Sequence, residues 1–111
     1  MASEHNLVMA LDQAIARHTA AIAELDKQLQ EQAALALEDW LVAEACKDYD
    51  TIDLDLEVTS KAHRKTFKAL REKKRNVEKI LVALQALRET AAAPDGEKLR
   101  KKFSAETEKY E

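Results

Sequence analysis

The 111-residue chain holds one proline, Pro94, and one glycine, Gly96, so everything before them must be built without the two residues that shape most turns. Sandwiches and barrels need Gly and Pro at many corners, and collagen-like or low-complexity chains need far more of both. Helix is what remains. Residues 4–46 are rich in Ala, Leu, Glu and Gln, all strong helix formers. The length suits one domain and is too short for two independent cores.

Apolar spacing sharpens this to a coiled-coil seam. Val8, Leu11, Ile15, His18, Ile22, Leu25, Leu29, Gln32 and Ala36 step by threes and fours along the first predicted helix. Ser3 and Asn6 are its candidate N-caps. After Ala36 the apolar phase slips to Leu37, Trp40 and Leu41, which predicts a bend, an end or a new neighbour there. Trp40 and Tyr49 flank that slip, and Trp40 is expected to plug the end where the two arms meet, more readily than to anchor a partner. A helix of this length runs roughly 60 Å at about 1.5 Å per residue, so a second helix must lie beside it.

Residues 60–93 supply it. Their seam reads His63, Phe67, Leu70, Lys74, Val77, Leu81, Leu84, Arg88 and Ala91, with Thr59 or Ser60 as the cap. Lys74 and Arg88 on that seam are expected to lay their methylenes on apolar surface while their charges reach water. Pro94, Asp95 and Gly96 end the helix. Residues 97–110 form either a short third helix, with Leu99, Phe103 and Tyr110 on one side, or a tail.

Between the arms, Ile52, Leu54, Leu56 and Val58 alternate with Asp53, Asp55 and Glu57. That is a strand period, and a lone strand calls for a pairing partner from another chain. An extended connector packed on the helices, or the opening turn of the second helix, fits the same residues. The expected fold is therefore mainly α: two long antiparallel amphipathic helices forming a helical hairpin or coiled coil, with a short strand-like or extended acidic connector. Residues 1–94 make the hairpin domain and 95–111 the short C-terminal helix or flexible tail.

Charge divides sharply along the chain. Segment 38–57 carries 8 acids against Lys47, and segment 61–79 carries 9 bases against Glu72 and Glu78. Within the second block, Lys61, Arg64, Lys65, Lys68, Arg71, Arg75 and Lys79 fall in one sector about 120° wide, away from the seam. Such a stripe can contact phosphates or an acidic partner, or simply be a solvated face. No aromatic lies on it for base stacking, so nucleic acid is the lesser expectation.

Chemistry finds no foothold. There is no Gly-rich phosphate loop, G-x-S-x-G or H-E-x-x-H. The acidic connector fails the calcium-loop pattern in both registers tried, and His5, His18, His63 and Cys46 lack metal-ligand spacing. The expectation is no enzyme, no cofactor, no metal and no small-molecule substrate. No apolar run approaches a membrane span and no signal-peptide pattern opens the chain, so no membrane partner is expected either. Cys46 cannot form an internal disulfide, which fits a cytoplasmic, intracellular or virion-associated setting.

Two thin arms alone are marginal, since burial and chain entropy nearly cancel at this size. The expected function is thus a protein–protein interaction or assembly subunit, as a homo-oligomer or within a larger assembly. Its oligomer or partner seam would be Val8, Leu11, Ile15, Ile22, Leu25, Leu29, Phe67, Leu70, Val77, Leu81 and Leu84. The alternatives are a nucleic-acid-associated accessory protein using the 61–79 face, and a small viral structural or adaptor protein.

Overall fold

The computed structural model describes residues 2–48 and 55–111, with side chains described from Leu7 onward in the first stretch and from Thr59 onward in the second. It has three helices: α1 (Ala2–Ala45), α2 (Asp55–Ala92) and α3 (Glu97–Glu108). α1 and α2 pack against each other as a helical hairpin, and no strand occurs among the described residues. On both long helices every expected seam position is shielded. Leu11, Leu25 and Ala91 are buried, and the others from Val8 to Ala36 and from His63 to Arg88 are half-buried. The seam residues therefore pack within one chain.

Several local expectations need correction. Leu56 and Val58 lie in the first turn of α2, so the alternating pattern does not make a strand there; Ile52 and Leu54 lie outside the described residues. The reason is context: beside Thr59, Ser60 and a long helix-forming run, an i, i+4 reading of Asp55–Thr59 continues a helix that is already nucleated. Thr59 and Ser60 consequently sit inside α2, and Ser3 and Asn6 inside α1, so none of the four is an N-cap. Past Ala36, α1 neither bends off its seam nor ends. It stays helical to Ala45, and the shielded line continues in step to Asp39.

The chain forms two compact units. The first comprises Met1–Ala21 and Val77–Glu111. Its core is Leu7, Leu11 and Ala91, with Val8, Leu84, Leu99 and Phe103 packed around them. α3 is thus a packed helix, held through Leu99 and Phe103, whereas Tyr110 is 86% exposed and lies off that side. Burying a leucine or phenylalanine side chain is worth about 1.5–3 kcal/mol. The turn into α3 is also tied by hydrogen bonds. Arg100 Nη1 donates to the carbonyls of Ala91 (3.0 Å), in the last turn of α2, and Ala93 (3.1 Å), which also accepts the Gly96 N–H. Gly96 is required there by space: a Cβ would stand 2.2 Å from the Thr90 carbonyl oxygen. Among the described residues the second unit, Ile22–Asn76, is made of α1 and α2, and Leu25 is its one buried apolar residue.

Candidate docking surface

Three polar positions on the α2 seam each meet an aspartate of α1. His63 Nδ1 lies 2.6 Å from Asp39 Oδ2 and Lys74 Nζ 2.5 Å from Asp26 Oδ1, both in the second unit. In the first unit, Arg88 Nε donates to Asp12 Oδ1 at 2.6 Å. That hydrogen bond, with the aspartate's charge, holds the Arg88 pKa above its ordinary value. The charges of Lys74 and Arg88 therefore meet aspartates at the partly exposed edge of the seam. Moving along α1 from Asp26 to Asp39 moves back along α2 from Lys74 to His63, which sets the antiparallel register within that unit. The aspartates were not singled out from the sequence, yet a signal existed. Asp12 and Asp26 are two heptads apart on α1, as Lys74 and Arg88 are on α2, and Asp39 is the next seam step after Ala36.

Among the other polar seam residues, the His18 Nδ1–H donates to the Ala14 carbonyl at 2.7 Å. The Gln32 side-chain oxygen is buried and accepts no hydrogen bond among the described residues, a group that costs about 1–3 kcal/mol when left unmade. Cys46 is half-buried just past the end of α1.

With α1 held in register by Ala36 and Asp39, the apolar residues between them turn outward at about 100° per residue. Leu37 is 63% exposed, Trp40 59% and Leu41 60%. Trp40 does not plug the end where the arms meet; Tyr49, its expected companion, lies outside the described residues. Leu37 opens onto a groove between the helices, floored by Ala33, Ala36 and Phe67 and walled by Arg64, Lys68 and Arg71. The Arg71 guanidinium lies 5.7 Å from the Phe67 ring centroid, an exposed cation–π contact worth roughly 0.5–1 kcal/mol.

The basic stripe is solvent-facing throughout: Lys61, Arg64, Lys65, Lys68, Arg71, Arg75 and Lys79 are all exposed. Arg75 reaches Glu72 on its own helix at 3.8 Å, and Arg64 Nε donates to the Ser60 carbonyl at 3.4 Å. Lys65 and Lys68 pair with no acid among the described residues. On α1 nearby, Glu38, Glu44 and Asp48 are exposed, and Glu44 takes Lys47 Nζ at 2.8 Å. The second unit therefore joins an exposed apolar strip on α1 to an exposed row of cations on α2. The first unit has a groove too, beside Leu87 and Phe103, but its edge carries only Lys102 and Glu106.

Among the described residues, no three His, Cys, Asp or Glu side chains gather as a metal site would, and no helix is long and apolar enough to cross a membrane. The class defined so far is an all-helical hairpin with a packed third helix. No family model matches the chain, and neither a curated protein nor a solved structure matches it.

Proposed function

We propose that this chain is a non-enzymatic α-helical interaction or assembly subunit, whose docking surface is the face of Ile22–Asn76 built from Leu37, Trp40, Leu41 and the cations of α2. One observation carries the reading: three large apolar side chains, each more than half exposed, stand within five residues on a helix whose seam is already filled. A Trp and two Leu left in water forgo about 1.5–3 kcal/mol each of available burial, and buried Trp and Arg are the residues that most often dominate interface energies. The cations around them supply orientation and speed of encounter with an acidic partner.

The seam residues, also expected to serve an oligomer or partner, are shielded between the two arms of the single chain, which favours the outward strip for docking. A second reading, a nucleic-acid accessory role for the 61–79 face, draws support from the exposure of all seven stripe cations. It ranks lower because the adjoining surface is apolar and Phe67 is covered by Arg71 rather than offered for base stacking. The test is a photo-cross-linking residue placed at Leu41 or, as a control on another face, at exposed Ala69. Docking predicts protein adducts from position 41 and few from 69. Equal yields from both, or adducts to nucleic acid alone, would contradict it.

A further inference from the structure

The surface described above has a charge that selects its occupant. Its walls are Arg64, Lys68 and Arg71, so whatever lies on it must combine apolar side chains with acids. The chain itself contains such an element at the acidic end of α1 in the same unit, where Glu38, Glu44 and Asp48 are exposed beside Leu37, Trp40 and Leu41. Within one molecule the Asp39–His63 and Asp26–Lys74 pairs set Glu44 and Asp48 well past the level of Arg71 and Arg75, so these four do not face each other. Two molecules laid antiparallel with these ends overlapping bring them face to face, twice.

We infer that the docking surface of Ile22–Asn76 takes a second copy of this chain, related by a two-fold axis, with the acidic end of each copy over the basic stripe of the other. The inference rests on the docking reading above and names its partner. Shape agrees with charge. Ala33 and Ala36 leave a shallow place in the groove, and Trp40 stands one turn further along the same helix. An antiparallel pair of α1 helices can therefore set each Trp40 against the other copy's Ala33, a knob over a hole.

This placement fixes where the charges go. The Asp26–Lys74 pair makes Leu25 level with Arg75, and Leu29 level with Arg71, within one copy. Setting Trp40 on Ala33 brings Glu44 over the second copy's Leu29 and points Asp48, in the turn just past α1, toward its Leu25. Asp48 is then level with Arg75 of the second copy, and Glu44 with Arg71. All four side chains are exposed in the single chain. Their present partners, Lys47 for Glu44 and Glu72 for Arg75, are exposed neighbours three residues away on the chain, a kind of pair that contributes little.

The area suffices. Overlapping about 20 residues of each helix gives a face roughly 30 Å long and 20 Å wide, or about 600 Å² per copy. The total of about 1,200 Å² is the lower end for specific dimers, so the pair should be reversible and salt-sensitive.

Sedimentation equilibrium of the whole chain from micromolar to near-millimolar concentration tests this, with absorbance monitoring for bound nucleic acid. The wild type is expected to dimerise, and to dissociate as salt rises. Arg71→Glu with Arg75→Glu, and separately Glu44→Lys with Asp48→Lys, should each weaken self-association by at least about tenfold. An equimolar mixture of the two variants should recover the dimer as a heterodimer. Circular dichroism confirms that each variant stays helical. A wild type that is monomeric throughout overturns the self-pairing while leaving the docking reading to its own test, since the Leu41 adduct would then contain a different protein. A dimer indifferent to both variants, failure of the mixture to re-pair, or nucleic acid in place of the second copy would each overturn it as well.

Discussion

In the unit of Met1–Ala21 and Val77–Glu111, two helices with a thin seam are roofed by a third, and Leu7, Leu11 and Ala91 become buried. In Ile22–Asn76 the same two helices carry an equally thin seam, and among the described residues there is no third element and only Leu25 is buried. The difference is not a shortage of apolar residues. Leu37, Trp40 and Leu41 in the second unit match in size the Leu99 and Phe103 with which α3 covers the first. What differs is the covering layer. A two-helix seam shields about one stripe per helix, and a third helix is what converts a neighbouring flank into core. The comparison teaches that, among the described residues, the open unit is built like the closed one without a third helix, and the proposed docking surface is the flank that such a helix would cover.

The comparison breaks most visibly at Leu11. Leu11→Ala removes a side chain that is 6% exposed in the covered unit and should destabilise the protein by roughly 2–5 kcal/mol, read by thermal or urea unfolding. Leu41→Ala, at 60% exposed in the open unit, should change the stability of the dilute chain by less than about 0.5 kcal/mol. Comparable losses from the two would mean that the second unit is as closed as the first.

A smaller effect comes from the roof's own attachment. Gly96→Ala places a Cβ against the Thr90 carbonyl oxygen, which is backbone and cannot swing aside. The expected cost is about 1–3 kcal/mol, the usual range for overpacking. It should appear first as faster amide hydrogen exchange in α3, ahead of any change in Ile22–Asn76. Unchanged protection in α3 would show that the turn does not hold the roof in place.

Much of this was legible beforehand because period is a strong signal. The two seams, from Val8 to Ala36 and from His63 to Ala91, were readable residue by residue, since a chain so poor in Gly and Pro leaves only the phase of the helix to determine. The end of α2 at Ala92 followed from Pro94. The alternation at Ile52–Val58 misled because period two over so few residues competes poorly with a helix already growing from the C-terminal side. The phase slip at Leu37, Trp40 and Leu41 was visible, but its meaning was not. A slip signals either that the helix turns to follow its apolar face or that the helix holds its course and the face leaves the seam. Asp39 pairing with His63 decides for the second. That pairing depends on two residues 24 apart in sequence, information that no local pattern contains.

Trp40 is the chain's one tryptophan, which makes it a direct reporter on the open unit. The decisive measurement is quenching of its fluorescence by acrylamide across a dilution series. Under this account Trp40 is freely quenched in the dilute single chain and becomes protected, with a blue-shifted emission, as concentration brings a second copy onto the strip. A tryptophan already protected at the lowest concentration, or equally quenched at every concentration, would contradict it.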